Sequence, residues 1–180
     1  LAALNLPWYL TPGDHDVNPP DWTPDSPDRS REKLFQSLYQ QDNPSVADHL
    51  YYSFDVEDCH FIALYSLERL HTDPRWGNVF FSQISDAQYT WLESDLEAHK
   101  NSKGAIVFLH QPMWYHWSGW SRVHSLLSEY RVRAVIAGHF HYGQDEGTLD
   151  GIRYLVVGAT GGLVKDGSAS AGNDQVITFV

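Results

Sequence analysis

The chain has 180 residues, of which 42% are hydrophobic, and its formal net charge is −11. This length suits one domain, and this hydrophobic content predicts a packed core rather than a disordered chain. The negative charge excludes sequence-independent binding of DNA or RNA, and it also repels phosphate esters unless bound cations reverse the local field. A single cysteine, Cys59, excludes an intrachain disulfide. No run of about 18 apolar residues exists that could span a membrane.

Apolar periodicity and turn-forming residues predict alternating strands and helices along the chain. In the first half we predict a buried strand over residues 4–10, a proline-rich loop over 18–27, a helix over 29–41, a hairpin of strands 50–56 and 59–66, and an irregular segment over 68–81. In the second half we predict a helix from 86 to about 100, a strand over 105–109, a helix around 123–130, a strand over 132–137, a hairpin turning at 150–151, a glycine-rich loop over 158–172 and a last strand over 175–180. Ser85 and Gln88 predict a capping box, in which the serine hydroxyl caps the helix and the glutamine side chain bonds back to Ser85.

Polar clusters follow three of these strands. Asp14, His15 and Asp16 follow the first strand, His110 follows the strand over 105–109, and a Gly-His-Phe-His segment starting at Gly138 follows the strand over 132–137. Ligands of open α/β sheets bind beyond the carboxyl ends of parallel strands, where the loops converge. We therefore expect these clusters to meet in a metal or catalytic centre. Taken singly, the first cluster is equally well a solvated turn, and His110 is a strand-end histidine bonded to backbone.

The Gly-His-Phe-His segment is the strongest of the three signals. Alternate residues of an extended segment point to opposite sides, so His139 and His141 can serve two different ions. Gly138 is expected to permit the strained backbone that begins such a segment. The histidines at 49, 60, 71, 99 and 124 are interpreted as structural. The aromatic segment 114–120 stays open between a substrate rim and a hydrophobic flap over the core.

Four segments, in this order, resemble the calcineurin-like metallophosphoesterases: PGDHD at 12–16, ISDAQYTWLESDL at 84–96, IVFLHQP at 106–112 and VIAGHFHYG at 135–143. The resemblance covers nearly the whole chain. It implies an α/β fold, an αββα sandwich of two mixed β-sheets flanked by helices. It also implies a dinuclear metal centre that hydrolyses small-molecule phosphate mono- or diesters.

The resemblance implies a role for each matched residue. Asp14, His110 and His139 would bind one divalent metal ion, and His141 would bind the other. Mixed nitrogen and oxygen ligands suit Mn, Fe, Zn or Ni and discriminate little among them. Two such ions can offset the charge of a phosphate ester and lower the pKa of an attacking water.

The catalytic roles fall on the neighbouring residues. His15 would donate a proton to the leaving oxygen or stabilise the transition state, and Asp16 would orient it by accepting its other N–H. Asp14 stands where the family has asparagine, and a carboxylate accepts hydrogen bonds but cannot donate one to a phosphate. We expect tighter metal binding and weaker phosphate binding from this exchange.

The resemblance is incomplete at its start. The family also has an N-terminal Asp-x-His and a Gly-Asp whose aspartate bridges both metals, and residues 1–13 contain neither. Residues 1–180 are therefore expected to form a single metallophosphoesterase domain that lacks its N-terminal strands and ligands, with little activity of its own. A non-catalytic protein that uses this fold as a binding scaffold is the alternative, and a protein or carbohydrate interface at 114–120 is a third. Substrate, oligomeric state and compartment stay open, and residues 1–10 lack the features of a signal peptide.

Overall fold

A six-stranded mixed sheet organises the structure, which is a computed structural model that describes residues 7–18, 29–73, 77–115 and 119–159, with the backbone alone at 70–73 and 77–81. Its strands, and those of a separate hairpin, are β1 (Tyr52–Val56), β2 (Cys59–Ala63), β3 (Arg69–Asp73), β4 (Gly77–Phe81), β5 (Gly104–Leu109), β6 (Val132–Ala137), β7 (Gln144–Leu149) and β8 (Ile152–Val156). The large sheet has the order β1-β2-β5-β6-β8-β7, and β3 pairs with β4. The helices are α1 (Asp14–Val17), α2 (Ser30–Tyr39), α3 (Asp86–Ala98) and α4 (Trp120–Ser128), with a 3-10 turn at Pro44–Val46.

The four central strands of the large sheet, β2, β5, β6 and β8, run parallel, and the edge strands β1 and β7 pair antiparallel with their neighbours. Consequently the carboxyl ends of the parallel strands lie along one edge of the sheet. The loop that follows β5 bonds to the loop that follows β6 at this edge, where the N–H of Gly138 donates to the carbonyl of His110 at 2.9 Å.

The core lies on both faces of the sheet. Successive residues of a strand point to opposite faces, and β2 shows this: Ile62 packs with α3 and α4, whereas Ala63 packs with Tyr39 of α2 and the segment around Leu50. The apolar strands β5 and β6, buried in the middle of the sheet, match the predicted strands over 105–109 and 132–137. The predicted helices correspond to α2, α3 and α4, and the hairpins at Glu57–Asp58 and Asp150–Gly151 are also confirmed.

The predicted strand over residues 4–10 is wrong for the part that the structure describes. Residues 7–10 belong to no strand, and tyrosine hydroxyls take up the backbone of Leu10 instead. The N–H of Leu10 donates to Oη of Tyr39 at 2.8 Å, and Oη of Tyr52 donates to the carbonyl of Leu10 at 2.9 Å. The hydroxyls of Tyr39 on α2 and Tyr52 on β1 thus form the backbone hydrogen bonds that a neighbouring strand would have formed.

Two further predictions need correction. The segment over 68–81 is not irregular: β3 and β4 pair from Arg69 with Phe81 to Asp73 with Gly77. The Trp76-Gly77 pair lies in this segment, and the structure places Gly77 at the first position of β4. The capping box is half formed. The hydroxyl of Ser85 accepts from the N–H of Gln88 at 3.1 Å, but the Gln88 side chain bonds to Tyr65 instead of Ser85.

The α/β class, with a mixed sheet and flanking helices, is confirmed. The described residues contain one six-stranded mixed sheet and the two-stranded β3–β4 ladder. The predicted loop after Asn18, most of the loop over 158–172 and the strand over 175–180 lie outside the described residues. None of the helices within the described ranges is long and apolar enough to cross a membrane.

Candidate metal centre

Three loops bring three potential metal ligands together at the carboxyl edge of the sheet. Nε2 of His110, after β5, lies 2.9 Å from Oδ1 of Asp14, at the start of α1. It also lies 3.1 Å from Nδ1 of His139, which follows β6. The remaining distance, from Nδ1 of His139 to Oδ1 of Asp14, is 3.5 Å. Three of the four expected ligands therefore converge, and each side chain is partly buried.

The triangle formed by these three atoms has the size that a metal ion requires. A circle through atoms 2.9, 3.1 and 3.5 Å apart has a radius of about 1.8 Å. Metal–nitrogen and metal–oxygen bonds are longer, about 2.0–2.2 Å. A single ion beside the plane of the triangle can thus contact all three atoms at once. The donor set, two imidazole nitrogens and one carboxylate oxygen, suits borderline metals such as Zn, Fe, Mn and Ni.

The electrostatics of Asp14 agree with this arrangement. Burial alone raises the pKa of Asp14, but hydrogen bonds with His110 and His139 and the electrostatic interaction with these rings outweigh burial. The pKa of Asp14 is therefore held well below the usual range of an aspartate. The carboxylate stays ionised, which is the state in which it binds a cation.

The turn that carries Asp14 is fixed at its start by a reciprocal pair of bonds. The N–H of Asp16 donates to the carbonyl of Gly13 at 3.0 Å, and Oδ2 of Asp16 accepts from the N–H of Gly13 at 2.9 Å. The sequence predicts that Asp16 orients His15, and that role stays a prediction. What the structure gives Asp16 is a local role: its carboxylate closes the single helical turn that presents Asp14.

Arg31 of α2 fixes the other end of the same turn. Its guanidinium donates to the carbonyls of His15 at 2.6 Å and of Asn18 at 2.9 Å. Carbonyls at the end of a helical turn have no partner within it, so a cation there is favourable. The imidazole of His15 itself is exposed, which leaves it accessible to a bound substrate. Sequence reasoning missed Arg31, because nothing in the local pattern connects residue 31 with residue 15.

Gly13 is a second residue that the sequence analysis missed. A Cβ at position 13 would lie 2.9 Å from Cε1 and 3.1 Å from Nδ1 of His110. Real Cβ atoms do not approach other atoms so closely, so only glycine lets the backbone pass this ring. The signal was present in the sequence as a glycine directly before a candidate ligand, within the PGDHD segment, but the sequence alone does not show which ring the glycine contacts.

The predicted extended conformation around His139 is wrong. The N–H of Phe140 donates to the carbonyl of Gly138 at 2.8 Å, and His139 has a φ of 68°. This is a γ-turn centred on His139, and His141 is also left-handed, with a φ of 59°. The strain lies on the two histidines and not on Gly138, which has no positive φ. Strained non-glycine residues of this kind cluster at functional sites.

His141 stands apart from the triangle. Within the described ranges, ligand atoms of three or more residues meet within 4.8 Å in two groups, and the first is Asp14 with His110 and His139. The second is Asp55 with His60 and His99. The two histidines were interpreted as structural, and Asp55 was not singled out from the sequence. His141 is half-buried and belongs to neither group, so its assignment to a second ion stays a prediction.

Comparison with known proteins identifies the family. The family model described as calcineurin-like phosphoesterase matches residues 1–143, well over half of the chain. The chain belongs to the calcineurin-like phosphoesterase family. Membership of this family, together with the names of its relatives, supports hydrolase chemistry and metal binding for the chain. The family also implies divalent metal ions.

The relatives of this calcineurin-like chain include plant phosphatases. Purple acid phosphatase 21 of Arabidopsis thaliana is 28% identical over 154 residues, which is 77% of this chain and 31% of that protein. Purple acid phosphatase 22 of the same plant is 31% identical over 152 residues, 77% of this chain and 31% of that protein. The chain thus spans about a third of the length of these curated relatives.

A solved structure shows the same fold. The crystal structure of a dimetal phosphatase from Danio rerio superimposes with a TM-score of 0.53 at 17% sequence identity. The match covers 68% of this chain and 56% of that chain. At this identity the likeness supports the fold, while function is argued from the site.

Proposed function

We propose that this protein hydrolyses phosphate esters in a metal-dependent reaction at the edge of the sheet where Asp14, His110 and His139 meet. The observation that carries this proposal is the triangle of ligand atoms, with edges of 2.9, 3.1 and 3.5 Å. Along the chain, His110 is 96 residues from Asp14 and 29 residues from His139. The three ligands are therefore brought together by the fold and not because they are neighbours in the sequence. Family membership supports the same chemistry.

Bound divalent ions would supply positive charge in a chain whose net charge is −11, and so allow a phosphate dianion to approach. His110 through Nε2, His139 through Nδ1 and Asp14 through Oδ1 would hold the first ion. We assign His141 to a second ion. The γ-turn at His139 and the contact with Gly13 hold the two ring ligands in place before metal binds.

His15 is the residue that we assign to proton transfer. It lies next to Asp14 in α1, and its imidazole is exposed, so it can reach the leaving oxygen of a bound ester. Its backbone is fixed by Arg31 through the carbonyl of His15. We assign Asp16 a supporting role, either toward the His15 ring or through the turn that it closes with Gly13.

The experiment combines metal analysis with turnover. Because residues 1–180 alone are expected to have little activity, the protein is purified with the sequence upstream of residue 1 included. It is then stripped with a chelator and reloaded with Mn, Fe, Zn or Ni, and each form is assayed with an aryl phosphate monoester and diester. The His139→Ala variant removes a corner of the triangle, and His49→Ala serves as the control because His49 stacks on Tyr51 away from the site. Turnover that needs metal and is lost only in His139→Ala supports the proposal.

The alternative is a protein of this fold that binds metal or a partner without turnover. The exchange of the family's asparagine for Asp14 favours it, because the added negative charge opposes an anionic substrate. Metal binding that depends on His139 without hydrolysis of either ester would support this alternative. Failure of the wild-type chain to bind any of the four metals would contradict the metal centre itself.

A further inference from the structure

A second cluster of ionisable side chains lies at the opposite ends of the strands from the metal centre. His60, near the start of β2, pairs with Ala105 near the start of β5, whereas His110 follows the end of β5. At about 3.3 Å per strand residue, the two sites are roughly 17 Å apart along β5. The second cluster therefore has a chemistry independent of the proposed phosphoesterase site.

His60 is held between two carboxylates. Its Nδ1 lies 2.8 Å from Oδ1 of Asp55 on β1, and its Nε2 lies 2.7 Å from Oδ2 of Asp95 on α3. Its side chain is 1% exposed. A neutral imidazole has one N–H, so its other nitrogen would face a carboxylate oxygen with a lone pair. Both contacts become hydrogen bonds only when the cluster holds one more proton, which makes His60 an imidazolium.

The surroundings stabilise this extra proton. Asp95 also accepts from Oγ of Ser53 at 2.7 Å, which fixes its carboxylate. The ring of His99 stacks on that of His60, with centroids 3.8 Å apart and planes 13° apart. Nδ1 of His99 lies 2.8 Å from the carbonyl oxygen of Asp95, to which it donates.

The titratable groups that face His60 are thus Asp55 from β1, and Asp95 and His99 from α3 and its end, while β5 offers the apolar Ala105. Burial lowers the pKa of His60, but hydrogen bonds to Asp95 and Asp55 and their negative charges outweigh burial. The pKa of His60 is therefore raised above that of an ordinary histidine.

The same residues include potential metal ligands, but their geometry favours a proton. Two nearly parallel stacked rings direct their nitrogen lone pairs side by side rather than toward one point. An ion at about 2.0–2.1 Å in the plane of one ring would lie far outside the plane of the other. Nε2 of His99 is also 3.8 Å from Oδ2 of Asp55. A proton on His60 needs only the two in-plane contacts that the structure shows.

We propose that His60 is a buried proton-binding site that links the β1–β2 hairpin to α3, and that this link weakens when rising pH removes the proton. Deprotonation transfers the proton from a ring nitrogen of His60 to hydroxide, which becomes water. The ring then donates to one carboxylate only, and the other faces a lone pair. Two negative charges remain beside a buried neutral ring.

The test is a pH titration of the ¹⁵N-histidine-labelled chain by NMR. We expect His60 to titrate above the ordinary value of about 6.5 and to show two protonated ring nitrogens below its midpoint. Asp55→Asn removes one charge and should move the midpoint of His60 to lower pH. Asp58→Asn is the matched control, since Asp58 lies in the same hairpin but pairs with Lys103, and it should leave the midpoint unchanged.

Two outcomes would overturn the proposal. One is a neutral His60 with a single tautomer at pH 6, or a midpoint at or below the ordinary value. The other is a metal site, which a zinc titration of the His139→Ala variant detects without competition from the first centre. If zinc then shifts the resonances of His60 and His99 together at stoichiometric concentration, the cluster binds metal rather than a proton. Absence of such shifts, with the raised midpoint, supports the proposal.

Discussion

Gly13 lies directly against the imidazole of His110, so that a Cβ at position 13 would stand 2.9 Å from Cε1 of that ring. The backbone before Asp14 therefore packs so closely against the ring of His110 that no methyl group fits between them. This contact sets the distance between two corners of the metal triangle, which is 2.9 Å from Asp14 Oδ1 to His110 Nε2.

The first prediction follows from this contact. Gly13→Ala should push the His110 ring away from Asp14 and His139 and weaken metal binding by about tenfold or more, the size of loss typical when the support of a ligand is removed. Isothermal titration with zinc measures it. Gly138→Ala is the matched control, because its Cβ would meet only the carbonyl oxygen of His110 at 3.8 Å. Equal losses in both variants would contradict the steric explanation.

The second prediction concerns Gln88, whose fully buried amide bonds to the backbone of Tyr65. Its Oε1 accepts from the N–H of Tyr65 at 2.9 Å, and its Nε2 donates to the carbonyl of Tyr65 at 3.0 Å. Gln88→Leu leaves both groups without a partner and should cost about 2–4 kcal/mol of unfolding free energy. Urea denaturation measures the loss.

The control for Gln88 is Gln36, whose amide donates to the carbonyls of Val46 and Ala47 at 2.7 and 3.1 Å. Gln36 is partly exposed, so water can replace the bonds that Gln36→Leu removes. We expect a loss below about 1 kcal/mol for that variant. A Gln88→Leu variant as stable as Gln36→Leu would show that the buried amide contributes little.

The third prediction is a pH dependence of stability. Because the pKa of His60 is raised in the folded chain, its contribution is fully present below the unfolded value of about 6.5 and is lost as pH rises through the folded value. The unfolding free energy, measured in the presence of a chelator, should therefore decrease as pH rises from about 6.5 through the midpoint of His60 in the folded chain. The decrease should be smaller in Asp55→Asn and unchanged in Asp58→Asn. A steeper decrease in Asp55→Asn would reverse the assigned sign.

The fourth prediction tests the tyrosines that bind the backbone of Leu10. Oη of Tyr52 donates to the carbonyl of Leu10 at 2.9 Å and lies 2.8 Å from Oη of Tyr39. Tyr52→Phe should cost about 1–3 kcal/mol, since the hydroxyl is buried and its partners lose a bond. Tyr130→Phe is the control, because its hydroxyl bonds weakly to the exposed Glu97 at 3.3 Å. Thermal denaturation of both variants distinguishes the two environments.

The convergence of His110 and His139 could be predicted, because strand ends are fixed by local apolar patterns and parallel strands end at one edge. Asp14 reaches the same place although residues 7–10 form no strand, so its predicted position was right for a reason that the sequence pattern did not supply. The left-handed backbone at His139 could not, since a positive φ at a non-glycine residue depends on contacts across the sheet. The same limit explains Gln88. Its spacing from Ser85 fits a capping box, but its actual partner is Tyr65, 23 residues away.

The cluster around His60 was missed for a related reason. Asp55 and His60 lie across a hairpin turn, and Asp95 and His99 come from a helix about 35 residues further along. Each sits in an unremarkable local pattern, and only the packing of α3 on β2 brings them together. The β3–β4 hairpin was missed because two five-residue strands around a proline carry little periodic signal.

The position of a bound metal ion tests the central claim most directly. Crystals of the chain soaked in zinc or manganese, measured at the absorption edge of the metal, give its anomalous difference density. We predict a peak about 2.0–2.2 Å from Nε2 of His110, Nδ1 of His139 and Oδ1 of Asp14. A folded chain at saturating metal with no peak at this triangle, or with peaks only elsewhere, would contradict the metal centre and the hydrolase that we infer from it.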